Sequence, residues 1–247
     1  MHYRGPLDWA FSYRQLHVAH WLLENGADVH HAGTRGWTPI FSLFGSEACH
    51  QEPIEDYLQL LEEYSFDNWN AKDTSGWTVM HRAAAHGTGE QVESLLSRKV
   101  SLTTRVSNLG LTPVFHAVQF NNLSTLKVLM KAHPEFITAT DVRDWTLLHL
   151  AVHLEVLEIF CFLLDLGADP HATSLPQDKD VPDDLRNIAL TSADIARFRG
   201  SDILTAYLSA LRAKHPDVQA LHDEAEDLIE VFWPVPGEAM EESIISR

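Results

Sequence analysis

Cysteine is almost absent from this 247-residue chain: there are two, Cys49 in a polar stretch and Cys161 inside "EIFCFLL". Two cysteines in unrelated contexts make no disulfide framework, so the fold must rest on its own core, and a reducing compartment is expected. Positive charge is also scarce, with 18 Lys and Arg against 35 Asp and Glu and a net charge of −17. That surface repels phosphate backbones, so direct nucleic-acid binding is not expected; it suits a basic partner, or serves solubility alone. Long uncharged apolar runs are missing too. The most apolar stretch, Leu147 to Leu166, carries His149, His153, Glu155, Glu158 and Asp165, so no membrane span is expected. The start, "MHYRGPLDWAF", has no basic segment leading into an apolar core, so the reading is an intracellular protein, cytoplasmic or nuclear.

What is present is ordinary globular composition, 45% hydrophobic and 21% charged, and an internal repeat. Six segments align: "GPLDWA" from Gly5, "TPIFSL" from Thr38, "TVMHRA" from Thr78, "TPVFHA" from Thr112, "TLLHLA" from Thr146 and "TSADIA" from Thr191. Their successive spacings are 33, 40, 34, 34 and 45 residues. Seventeen residues after each start stands a leucine in five of the six: Leu22, Leu95, Leu129, Leu163 and Leu208. In the second segment the matching pair, Leu60 and Leu61, is displaced by the longer loop "FGSEACHQEPIED".

These segments resemble ankyrin repeats, whose signature is T-P-L-H-x-A at a period near 33. "LLENGADVHH" (22–31) and "LLDLGADPHA" (163–172) are similar to that family's second-helix ending, and "DTSGWTVMHRAAAHG" (73–87) to its turn and first helix. The resemblance covers about Gly5 to Leu211 and implies an all-α solenoid of stacked helix-turn-helix units with β-turn fingers. The physics agrees. Thr before Pro can cap a helix start while Pro occupies the first turn, where its missing donor costs nothing. Val92, Leu95 and Leu96 form a stripe that buries one helix face, and Gly26 and Gly167 sit where a second helix must end in a left-handed turn.

The departures from the pattern carry expectations of their own. Gly36, Gly76 and Gly110 precede the register Thr by two, but Asp144 replaces Gly in the fifth repeat, where Asp tolerates positive φ. The array is expected over 1–211, with a Pro-containing acidic insertion at 174–190 and an acidic capping helix and tail at 212–247. From Pro216 to Glu242 that tail holds nine acidic residues and no Lys or Arg. Val218, Leu221, Ala225, Leu228, Ile229 and Phe232 follow helical spacing, which suits a cap on the last repeat or a partner-binding helix. The first repeat lacks its finger, which suggests an excerpt of a longer array.

Catalytic and metal chemistry finds little support. His149 and His153 stand one helical turn apart, but a zinc site needs three or four ligands, and Glu155 lies about 200° around the helix from His153. The resemblance instead makes His149, like His81, a structural hydrogen-bonding group between repeats. "HGTGEQV" (86–92) holds a G-x-G but follows a helix and lacks the third glycine of a nucleotide loop. His17 and His20 read as surface or packing residues. No enzyme activity, metal or cofactor is expected.

Protein binding is expected instead. The resemblance places partners at the finger tips and on the concave face of the first helices. The tip pairs are Thr34-Arg35, Thr74-Ser75, Asn108-Leu109 and Val142-Arg143. The residues before each register Thr are Trp37, Trp77, Leu111 and Trp145, and the concave ends of the first helices bring Tyr13, His86, Gln119, Phe120, His153 and Leu154. The three indoles with interspersed Arg and His have the composition of an interface hot spot, and Trp37 and Trp77 are expected to be removable without loss of stability. A tryptophan there could equally pack against the next finger and stiffen it. The reading is a monomeric, non-catalytic module holding another protein or peptide. The alternative is a recognition or spacer segment of a larger multidomain receptor or scaffold that reads a basic Lys/Arg-rich tail.

Overall fold

Each of the six register residues is the N-cap of a helix, and each takes the same extended backbone, with ψ between 164° and 169°. The sequence supplies the cap in two ways. Pro6, Pro39 and Pro113 occupy the first turn of their helices, where a missing N–H leaves nothing unsatisfied. In four repeats the third helical residue turns back to accept the N-cap amide. Asp8 accepts from Gly5 N (2.8 Å), His81 Nδ1 from Thr78 N (3.2 Å), His149 Nδ1 from Thr146 N (3.1 Å) and Asp194 from Thr191 N (2.9 Å).

The computed structural model describes residues 5–45, 53–98, 100–176 and 187–214. Among these, twelve α-helices pair into six units: α1 (Pro6–Ser12) with α2 (Leu16–Glu24), α3 (Pro39–Ser42) with α4 (Glu55–Glu63), α5 (Val79–His86) with α6 (Gly89–Leu96), α7 (Pro113–Gln119) with α8 (Leu123–Ala132), α9 (Leu147–His153) with α10 (Leu157–Asp165), and α11 (Ser192–Arg199) with α12 (Ser201–Lys214). A 3-10 turn at Pro134–Thr138 follows α8. The described residues contain no strand, only the isolated bridges Val106–Leu111 and Thr140–Thr146 at two finger bases. The fold is an all-α ankyrin solenoid.

The helices form two layers. The first helices pack in succession, α1 on α3, α3 on α5, α5 on α7, α7 on α9 and α9 on α11, while α6 packs on α8 and α10 on α12 behind them. One continuous core lies between the layers, with Phe11, Phe41, Phe44, Met80, Leu95, Phe115 and Phe160 fully enclosed. The leucine expected seventeen residues into each repeat is buried at Leu95, Leu129 and Leu163, whereas Leu22 and Leu208 are half-buried. A repeat that stacks on one neighbour covers less of its apolar face than a repeat that stacks on two.

Second helices close as the glycine pattern implies. Gly26 and Gly167 both have φ of +85°, and Ala27 N and Ala168 N donate to Leu22 O and Leu163 O (3.0 Å each). The fingers join edge to edge: Thr74 N donates to Arg35 O (2.9 Å), Val142 N to Leu109 O (3.0 Å) and Leu175 N to Arg143 O (2.8 Å). Gly36, at φ +67°, permits that approach, because a Cβ there would lie 3.3 Å from Asp73 Cα. Asp144 takes the same left-handed conformation at φ 55°.

The ends of the 174–190 insertion are pinned. Ser174 N donates to Leu190 O (2.9 Å), and Leu190 N donates to Ser174 Oγ (3.1 Å). Its middle, and the expected helix and tail from residue 215 on, lie outside the described residues. The "HGTGEQV" loop is a helix entry: Thr88 caps α6, with Gln91 N donating to its Oγ1 at 3.3 Å.

Candidate protein-binding groove

A single register organises the inner face. In five of the six repeats the fourth and eighth residues after the register residue lie one helical turn apart along the first helix and its end, which gives Trp9 and Tyr13, Arg82 and His86, His116 and Phe120, Leu150 and Leu154, and Ile195 and Arg199. The ring contacts follow this stripe. Trp9 stacks on Tyr13 at 5.4 Å, the His116 ring lies 4.1 Å from the Trp77 indole, Phe120 contacts Trp77 at 5.8 Å and His86 at 4.9 Å, and His153 meets Trp145 edge-on at 5.2 Å.

Burial divides the expected site residues. Tyr13 is 57% exposed and Phe120 41%, while Trp77, His86, His153 and Leu154 are half-buried at the surface of the groove. Gln119, Thr34, Arg35, Thr74, Ser75, Asn108 and Val142 are exposed, and Leu109 and Arg143 are intermediate. Trp37, Leu111 and Trp145 are not surface residues: they are 5%, 5% and 6% exposed. The expected open row of three indoles is therefore corrected to one half-buried indole, Trp77, between two that are enclosed.

The cause is local. The Arg82 guanidinium lies over Trp37 (4.2 Å) and also faces Trp77 (5.2 Å), and it is ion-paired with Asp73. Asp73 in turn accepts Ser75 N and Trp77 N at 2.9 Å each, which shapes the finger. The fifth repeat repeats the device. Asp141 accepts Arg143 N (2.7 Å) and Trp145 N (3.1 Å) and holds the Arg143 side chain through Nε (2.9 Å) and Nη2 (2.7 Å), which places its guanidinium 3.9 Å over Trp145. Two of the expected tryptophans are thus sealed by arginines of their own chain.

The histidines fall into two roles. His81 and His149 are buried braces. Each accepts at Nδ1 from its own N-cap amide, which leaves Nε2–H to donate to the next repeat, to Thr104 O (3.1 Å) and Leu190 O (3.0 Å). Burial pushes His81 down from 6.5 to about 4 and lowers His149 as well, so both are neutral near pH 7. His86 and His153 border the groove. Burial lowers both, and the Arg82 guanidinium adds to the effect on His86, as those of Arg199 and Arg143 do on His153.

Arg82 and His116 pack against Trp77, the first also over Trp37, and sequence reasoning missed both. The signal was available, since the residues eight after each start imply those four after by one helical turn. His116 is pushed down to about 3, first by burial and then by His81, His86 and Arg82. Among the described residues no group of three His, Cys, Asp or Glu side chains is arranged to hold a metal ion, and no helix is long and apolar enough to cross a membrane.

Comparison with known proteins agrees with the geometry. The family description "Ankyrin repeats (3 copies)" matches residues 46–141 and 101–174. The tyrosine-protein kinase HTK16 of Hydra vulgaris is 31% identical over 140 residues, which are 56% of this chain and 18% of the kinase. The nuclear factor NF-kappa-B p105 subunit of Gallus gallus is 32% identical over 183 residues, 72% of this chain and 17% of that protein. Human protein phosphatase 1 regulatory subunit 27 is 39% identical over 97 residues, 39% of this chain and 60% of the relative. The chain thus spans less than two thirds of each of these proteins.

Among solved structures, the ankyrin repeat domain of Bcl-3 superposes with a TM-score of 0.65 at 20% identity, covering 85% of this chain and 86% of that one. A chain from the complex of a Bdellovibrio bacteriovorus predatory endopeptidase with its immunity protein gives 0.63 at 18%, covering 83% and 98%. At that identity the two structures speak for the fold. The six-fold register, the finger geometry and the matched repeats together place this chain in the ankyrin-repeat family.

Proposed function

We propose that the chain is a non-catalytic module that holds a segment of another protein in the groove formed by the fingers and the ends of its first helices. Ankyrin repeats are generally protein–protein interaction modules. The observation that carries the reading here is the cluster of Phe120, His86 and Trp77. Three rings converge from two adjacent repeats with their faces partly open, and the Arg82 guanidinium beside them is ion-paired with Asp73. Such a cluster offers a partner apolar area at little desolvation cost. Tyr13, His153 and Leu154 extend the same stripe toward the two ends, and Arg35 lies at an open finger tip.

Affinity capture from the source cell tests this with paired variants. Phe120→Ala opens the groove cluster, whereas Trp21→Ala removes an aromatic that is 61% exposed on α2, in the other layer. A partner that is lost with Phe120→Ala and kept with Trp21→Ala, at equal thermal stability, supports the groove. The reverse pattern assigns binding to the outer layer and refutes it.

A second reading is favoured by one observation. The stretches matched in the kinase and in the p105 subunit are less than a fifth of those proteins. On that reading the array is the recognition segment of a larger scaffold or receptor, and the same groove does the recognising.

A further inference from the structure

Asparagine occurs seven times in the chain, and once, at Asn25-Gly26, it stands before a glycine. A side chain on the following residue crowds the approach of that residue's backbone nitrogen to the asparagine side-chain carbonyl. Glycine has none, and it turns freely into the conformation the approach needs. The pair lies where α2 ends, and both residues are exposed. Asn25 Nδ2 donates to Trp21 O (2.8 Å), and Gly26, at φ +85°, donates its N–H to Leu23 O (3.0 Å). The fifth repeat builds the same left-handed turn at Leu166-Gly167, so the fold itself does not call for an amide at this place.

In the closed turn the reacting atoms are held apart. At ψ 19° Asn25 points the Gly26 nitrogen away from its own side chain, and that nitrogen is engaged with Leu23 O. Both restraints belong to the last turn of one helix. That turn is held by little apolar contact, since Trp21 is exposed and Leu22 half-buried, and a Cβ built on Gly26 would meet nothing within 4 Å. Opening it releases the nitrogen and the side-chain amide together.

We propose that Asn25-Gly26 is a site of spontaneous deamidation, gated by opening of the last turn of α2, and that the product keeps that turn open. The Gly26 nitrogen gives its proton to a solvent base and bonds to the Asn25 side-chain carbonyl carbon. The bond from that carbon to Nδ2 breaks, and ammonia leaves. Water then opens the cyclic imide at one of its two carbonyls, which yields aspartate or isoaspartate at position 25. Either product loses the donor to Trp21 O and sets a carboxylate near Glu24 and Asp28, at the negative end of the helix dipole. Isoaspartate also adds one carbon to the main chain between Leu23 and Val29, which are both buried, so the two no longer seat together.

The test is incubation of the full chain at mildly alkaline pH, folded and in urea, read by peptide mass mapping and by methylation with an isoaspartate-specific methyltransferase. Asn25 should convert before the other six asparagines, and faster in urea than in the folded chain. The ratio of the two rates should follow the exchange protection of the Gly26 amide, because both reactions need the same bond to open. Asn25→Gln should abolish the isoaspartate signal. The aged chain, and Asn25→Asp, should show faster amide exchange through α2 with α7 and α8 unchanged. Conversion first at another asparagine, or an Asn25 that stays intact while the Gly26 amide exchanges freely, would overturn the site. Conversion at Asn25 with exchange in α2 unchanged would overturn the claim that the product keeps the turn open.

Discussion

The guanidinium of Arg82, on the first helix of the third repeat, lies 4.2 Å over the indole of Trp37, at the finger base of the second. The contact ties one repeat to the next through a cation and a ring. It also decides how Trp37 behaves, because a residue read from sequence as an open binding surface becomes part of the interface between repeats.

Trp37→Ala should therefore unfold the chain more easily, by about 3–5 kcal/mol, as expected for truncating an enclosed indole. Trp77→Ala, at a half-buried position, should cost less. Urea midpoints of the two variants check the order; equal midpoints would mean that the Arg82 lid does not enclose Trp37 in solution.

Acid should destabilise the array in a window set by His81 and His116. Their folded values are lowered from 6.5 to about 4 and about 3. Above pH 6.5 the folded and unfolded chains are both neutral at these groups, so the full stability is present. Below it the unfolded chain takes up protons that the folded chain refuses, so stability is lost as pH falls from about 6.5 toward 4. Each histidine contributes roughly 1.4 kcal/mol per pH unit. His116→Leu, which places there the residue type found at the equivalent Leu150, should flatten the dependence between pH 6.5 and 4.5. Denaturant titrations at each pH measure it, and an unchanged slope would remove His116 from the account.

His149→Phe isolates the brace between the fifth and sixth repeats. Phe41 and Phe115 stand at the same register position in other repeats, so the ring itself is compatible with the packing. Leu190 O keeps its bond from Ser174 N, so the cost should be the two lost hydrogen bonds, to Leu190 O and from Thr146 N, about 1–3 kcal/mol together. Faster amide exchange in α11, at unchanged exchange in α5 and α7, is the expected signature.

Gly36→Ala should destabilise by roughly 1–2 kcal/mol, since an L side chain at φ +67° is strained and its Cβ would press on the Asp73 backbone of the next finger. A thermal melt of the variant reads this directly. No loss would show that neighbouring fingers stand further apart in solution.

The register of the repeats was legible because it is local chemistry. A Thr that caps, a Pro in the first turn, a leucine stripe and a glycine that ends a helix act within a few residues of one another, and all six helix starts appear at the residues that the pattern singles out. The roles of His81 and His149 were legible for the same reason, since half of each role is a bond to the histidine's own N-cap. The exposure of Trp37, Leu111 and Trp145 was not. Whether an indole faces solvent depends on which side chain the next repeat lays across it, and Arg82 lies 45 residues further along the chain than Trp37.

Local sequence chemistry set the all-α ankyrin architecture and the starts of its helices. Tertiary structure alone decided which groove residues remain open. It buried two tryptophans under arginines and grouped Trp77, His86, His116 and Phe120 from two repeats into one cluster. The physical reason is that periodicity sets direction along a helix, whereas burial and local field depend on neighbours brought together only when the repeats stack.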